Sequence, residues 1–340
     1  MTIEHLRRVP TEHPFVSSGD LPSPADLQAE VDEAHRRFVD EQDGEVSTGY
    51  EALARMSPER FGVCVVTTTG RTYGAGDVAV PFAVMSVAKA FTFAVVCDVL
   101  GRDAVRDAVG VNATGLPFNL LTPMERQPDG RTNPMVNPGA IAVAGLVPGG
   151  SVDERWALLS ARLSAFAGRP LALDDEVYES ARTANFRNRG IAWLLQSYGG
   201  LGTSPADTIE LYTRQSCLAV TAEDLAVMGA TLADGGVNPR TGDQVVDPES
   251  CRCALVVLAT AGMYETSGDW LYDVGLPGKS GIGGGIVTVS PGKGGLGTFS
   301  PRLDEAGNSV RGQLVARFLS RGLGLDVFAS APVRTTTPAG

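Results

Sequence analysis

Apolar positions along the chain change their spacing twice. The stretch after Ser23 repeats at helical spacing, with Pro24 opening a helix that Ser23 can cap and Leu27, Val31 and Phe38 on one side. Phe61–Thr69 and Thr72–Asp77 then read as strands turning at Gly70. Ser86 to Leu100 predicts a helix that is apolar almost all round and therefore buried. From about 105 to 240 helical periodicity dominates, broken by Gly and Pro, with helices clearest over Asn188–Tyr198 and Ala222–Ala233. Beyond that, Cys253–Ala261, Gly284–Ser290 and Gly294–Ser300 read as strands joined by glycine turns. A last helix over Asn308–Arg321 has Val310, Leu314, Val315, Phe318 and Leu319 as its buried stripe. Strands at both chain ends with helices between them predict an α+β fold. One sheet is completed by the two ends and flanked by helices, with an all-helical subdomain inserted. The expected division is an irregular leader over 1–22 and a single domain over 23–330. Within it, 23–80 and 245–330 form the sheet part and 81–244 the helical part. A loose tail over 331–340 contains Pro332 and Pro338.

Composition narrows the chemistry. A net charge of −11 is a poor match to nucleic acid or to an anionic membrane. Residues 1–20 are polar and interrupted by Pro10 and Pro14, so no secretory signal is expected there. The apolar run Phe91–Leu100 is too short to span a bilayer and contains Asp98. Five cysteines, an odd number in apolar surroundings, read as reduced thiols of a cytoplasmic protein. Cys251 and Cys253 have no second cysteine pair and no nearby histidine, so no metal site is expected. The only histidines, His5, His13 and His35, all precede the first strand, so a hydrolase built from this chain needs a base other than histidine.

A candidate base is present. Ser86-Val87-Ala88-Lys89 is an S-x-x-K at the head of the apolar helix, and residues three apart share a helix face. Burial disfavours an ammonium, so a lysine here can take the serine's proton. The bland reading, a capping serine beside a surface lysine, fits poorly with the apolar run after Lys89. A second element, Lys279-Ser280-Gly281, stands before a glycine-rich turn and a strand; K-[ST]-G beside S-x-x-K is the pairing of penicillin-recognising serine enzymes. Glycines there let backbone approach a substrate and offer N–H groups to an oxyanion. The third element of those enzymes, S-x-N or Y-x-N, is absent, which points to a cousin.

The stretches AGDVAVPFAVMSVAKAFTF, NPMVNPGAIAV, RNRGIAWLLQSYG, DLAVMGATLADGGVNPRTG, GMYETSGDW and VGLPGKSGIGGGIVTVSPGKGGLGTFSPRLDEAGNS resemble the glutaminases, from about residue 27 to 328. The resemblance implies a β-lactamase-like fold. It implies hydrolysis of L-glutamine to L-glutamate and ammonia through an acyl-serine, without metal or cofactor, by a homodimer or homotetramer. It implies Ser86 as nucleophile, Lys89 as base, Tyr264 as a proton relay, and the N–H groups of Ser86 and Ile282 as the oxyanion hole. It also implies Asn137, Asn188, Tyr212 and Tyr50 as substrate-side residues. Taken alone, the two asparagines could equally be helix caps and Tyr212 and Tyr264 core aromatics. The chain departs from the family at Ala181, where a glutamate is expected to meet the substrate ammonium, and at Met85, where glutamine is usual. Glu179 is the nearest acid to Ala181, and on a helix it would face away. A related amidase with a changed substrate and a non-catalytic amino-acid-binding relative stay open as alternatives.

Overall fold

A computed structural model describes residues 20–330. Residues 1–19 of the leader, with His5 and His13, and the tail from 331 lie outside the described residues. The strands are β1 (Glu45–Val46), β2 (Gly62–Thr67), β3 (Thr72–Gly76), β4 (Phe82–Ala83), β5 (Ala219–Val220), β6 (Gly278–Ser280), β7 (Gly285–Ser290), β8 (Gly294–Phe299) and β9 (Arg302–Leu303). Five of them form one antiparallel sheet in the order β3-β2-β8-β7-β6. The two chain ends are thus knitted together at its centre, where Val65 of β2 opposes Leu296 of β8.

Both faces of the sheet are covered, and the side chains of β2 divide accordingly. Val63 and Val65 join a core beneath the terminal helices Pro24–Phe38 and Val310–Gly322, with Leu27, Val31, Leu314 and Leu319. Cys64 and Val66 join the larger core on the opposite face, with Phe91, Phe166 and Leu225. Helix Ala222–Ala233 lies directly on this second face. It sits close because β8 reads Gly-Gly-Leu-Gly: a Cβ at Gly297 would lie 2.0 Å from the carbonyl oxygen of Ala222, and one at Gly295 2.3 Å from that of Ala226. Helix Ala88–Leu100 is buried on all sides from Ala88 to Cys97, as its apolar run predicts. No helix among the described residues is long and apolar enough to cross a membrane.

One expected strand is a helix. Cys253–Ala261 belongs to a helix over Pro248–Ala261. The side chain of Asp247 caps it, accepting from the N–H groups of Glu249 (2.8 Å) and Ser250 (2.9 Å), and Pro248 stands in its first turn. Cys251, Ala254, Val257, Leu258 and Ala261 face the core at spacings of three and four, while Val256 is exposed. A short apolar run fits strand and helix alike, and here the cap and the helical spacing of buried positions decide for the helix.

Candidate active site

Ser86 lies in a tight turn, Met85–Val87, that feeds the buried helix. One short ladder and a further hydrogen bond hold the approach to it: Phe82 and Ala83 pair with Val220 and Ala219, and the Val84 N–H donates to the carbonyl of Leu218 at 2.9 Å. This anchoring matters because Met85 has a φ of 48°. A side chain in that region costs on the order of 1–2 kcal/mol, which the surrounding packing must offset. Ser86 itself is half-buried, within reach of a substrate.

The end of β6 packs against this turn. A Cβ at Gly281 would lie 2.9 Å from the Val84 carbonyl oxygen and 3.2 Å from the Ser86 nitrogen, and one at Gly283 would lie 2.2 Å from the Ala83 carbonyl oxygen. Only glycine permits this approach. It brings half-buried Ile282, between the two glycines, beside the serine turn, so two backbone segments distant in sequence run side by side where an oxyanion can be held.

The side chains around Ser86 form a connected set. Tyr264, whose φ of 59° is the only other positive value at a non-glycine among the described residues, has Ser86 near its phenol, where the serine pulls against the upward push of burial. Its hydroxyl donates to the Ser280 carbonyl at 3.0 Å, which leaves its oxygen to accept from the serine. Lys279 is fully buried; its Nζ donates to the same Ser280 carbonyl at 2.6 Å and lies 4.1 Å from the centre of the Tyr264 ring. Lys89, also buried, donates to Asn137 Oδ1 at 2.6 Å and to the Met135 carbonyl at 3.4 Å. Burial pulls the Lys89 amine down to about 7. It pulls Lys279 well below the ordinary lysine range, helped by the proximity of Lys89. The phenols of Tyr264 and Tyr212 move the other way, chiefly through burial.

The amides continue outward from Lys89. Asn137 Oδ1 also accepts from the Tyr212 hydroxyl (3.3 Å), and Asn137 Nδ2 donates to Asn188 Oδ1 (2.9 Å). Asn188 Nδ2 donates to Asn185 Oδ1 (2.6 Å), and Asn185 Nδ2 donates to Thr213 Oγ1 (3.1 Å). Neither Asn137 nor Asn188 caps a helix: the helix starting at Asn137 has Val136 at its cap, without a side-chain hydrogen bond. Of the residues singled out from the sequence, Lys89, Asn137, Asn188 and Tyr212 therefore form one hydrogen-bond network; Tyr264 meets it through the Phe118 ring, with Ser86 near its phenol, and Ile282 abuts the serine turn through Gly281. Lys279, Asn185 and Phe118 join them without having been assigned a role. Lys279 was visible within its Lys-Ser-Gly triplet, and Asn185 as an amide three residues before Asn188 on a helix face. Phe118, in an irregular loop, carries no sequence signal.

Tyr50 lies in an adjoining apolar patch with Leu53, Met85, Val177, Ala181, Cys217 and Ile282, near enough to Tyr212 to act on its phenol, and burial lifts its own phenol to about 12. Ala181 is therefore buried beside the residue that precedes Ser86. It belongs to helix Asp175–Ala184, so Glu179 points elsewhere: it is exposed and paired with Arg182 at 2.7 Å. The surroundings of Ala181 are apolar.

A model of the glutaminase family matches residues 44–328, most of the chain. The chain belongs to the glutaminase family. It is 60% identical to glutaminase 2 of Yersinia pestis over 94% of each chain. To a glutaminase of Brucella abortus it is 46% identical, over 82% of this chain and 88% of the relative. Among solved structures it resembles the probable glutaminase YbaS, with a TM-score of 0.89 and 41% identity over 90% of this chain and 99% of the other. The family match thus spans the sheet and the helical region alike, and the residues around Ser86 lie within it.

Proposed function

We propose that the protein hydrolyses L-glutamine to L-glutamate and ammonia through an acyl-serine intermediate. The observation that carries this reading is the buried amine of Lys89, three residues past half-buried Ser86 and hydrogen-bonded into the Asn137, Asn188 and Tyr212 set. Ser86 Oγ attacks the side-chain amide carbon, and its proton passes to neutral Lys89. The N–H groups of Ser86 and Ile282 hold the oxyanion. As the carbon–nitrogen bond breaks, the leaving nitrogen takes a proton, relayed by Tyr264, and departs as ammonia. Water then attacks the ester, gives up its proton to Lys89, and releases glutamate as Ser86 recovers its own. Asn137, Asn188, Tyr212 and Tyr50 hold the amino-acid end. Ammonia release from glutamine, asparagine and simple amides tests the reading; turnover of simple amides with none of glutamine would sink it.

The base must be neutral to act, and burial places the Lys89 amine at about 7. The rate is therefore expected to climb with pH through about 7 and to level off above it. A pH profile of kcat/KM checks this, and a rate that falls over that interval contradicts it.

A second reading follows from the apolar surroundings of Ala181: a related amide without an ammonium at that end would suit them better. A charged hydrogen-bond partner contributes about 1.5–3 kcal/mol, roughly 10- to 150-fold. Ala181→Glu is accordingly expected to raise kcat/KM for glutamine by about 10-fold or more, less whatever the buried carboxylate costs. Glu179→Ala is expected to leave it unchanged. Glutamine kinetics of the two variants decide it; no gain in a folded Ala181→Glu protein overturns this account of Ala181.

A further inference from the structure

We propose that Phe118 is a positioning residue whose ring shields the Lys89 amine from water and holds the Tyr264 ring in place. The inference rests on the reading of Lys89 as base. Phe118 lies in the irregular segment between the Arg102–Val109 and Thr122–Glu125 helices, where nothing in the pattern of apolar positions demands an aromatic. Its backbone is pinned: the carbonyl accepts the N–H of Asn137 at 2.8 Å, tying the loop to the amide that receives the Lys89 hydrogen bond. Its ring packs on that of Tyr264, with centres 4.6 Å apart and planes inclined by 37°. The same ring has the Lys89 Nζ 5.8 Å from its centre. Phe118 is only half-buried although Lys89 and Tyr264 beneath it are fully enclosed, so the ring stands between the pair and solvent.

Other groups face the amine too. They are Lys279 from β6, Tyr264 from the turn after the Pro248–Ala261 helix, and Tyr212 from helix Pro205–Ser216, together with Asn137 and the Met135 carbonyl. None of these is an acid, so what keeps Lys89 neutral is burial away from water. An aromatic face also attracts a cation, which opposes the shield, but 5.8 Å is close to the roughly 6 Å limit of that attraction. Exclusion of water is the larger effect.

Opening the shield favours the ammonium. In Phe118→Ala the acidic limb of the kcat/KM profile is expected to move up by about one pH unit, with an approximately 10-fold loss of rate below the limb and a smaller loss above it. Phe118→Leu, which stays apolar and bulky, is expected to keep the limb within a few tenths of a unit of wild type. Should the alanine variant fail to fold, Phe118→Gln supplies the same reading, since it keeps volume while bringing polarity. A limb that stays in place in Phe118→Ala or Phe118→Gln overturns the inference, even where the rate falls evenly at every pH. A wild-type protein with no acidic limb at all would instead overturn the assignment of Lys89 as base, so the two failures are distinguishable.

Discussion

Ser86→Ala is expected to lower kcat for ammonia release from glutamine by about 10⁴-fold or more, leaving substrate binding within a few-fold of wild type. The substitution removes the one oxygen that can form the acyl bond while leaving the backbone N–H groups and the asparagine network in place. The Tyr264 hydroxyl keeps its bond to the Ser280 carbonyl, so the site is not expected to rearrange. Melting temperature is expected to change little, because Ser86 is half-buried and alanine suits the turn into the helix. Steady-state kinetics with glutamine, alongside titration of glutamine binding, provide the check. Turnover within 10-fold of wild type would end the acyl-serine reading.

Lys89→Met carries the second large effect, about 10³- to 10⁴-fold in kcat. Methionine fills nearly the same buried space without a titratable nitrogen, so the loss reports proton transfer and not a cavity. Asn137 Oδ1 loses its 2.6 Å donor but retains the Tyr212 hydroxyl, while the Met135 carbonyl loses only a long, 3.4 Å donor. Stability is expected to hold or rise, since an amine that must be kept neutral in a dry interior is exchanged for a thioether. The double variant Ser86→Ala with Lys89→Met is expected to be scarcely slower than either single one, because the two groups serve one step. Losses that multiply would mean that Lys89 acts apart from Ser86.

Much of this architecture was legible in the residue pattern, and the failures have identifiable causes. The strands β2, β3, β7 and β8 follow from short runs bounded by glycine turns, and the helices at both ends from apolar positions three and four apart. Cys253–Ala261 was misread because a short apolar run supports helix and strand alike, and the deciding features, the Asp247 cap and Pro248, stand upstream of it. Within the site, Ser86, Lys89 and the Lys279 triplet were visible because their chemistry depends on close spacing in sequence. Lys89 and Asn137 meet only through the packing of two helices, and such a meeting leaves no periodic trace. The contact of Phe118 with Tyr264 joins a loop to a turn far along the chain, which local pattern does not register.

The pairing of β2 with β8 has a consequence for how the protein is made. The central ladder of the sheet joins a strand synthesised early to one synthesised near the end, and Gly281 and Ile282, which abut the Ser86 turn, come just before the later strand. At about 5–20 residues per second, the ribosome leaves β2 without its partner for roughly tens of seconds. During that interval the apolar Ala88–Leu100 segment has neither sheet nor late helices to cover it. The nascent chain is therefore inactive until its last third has emerged, and in the meantime it is a natural client for chaperones that hold exposed apolar segments.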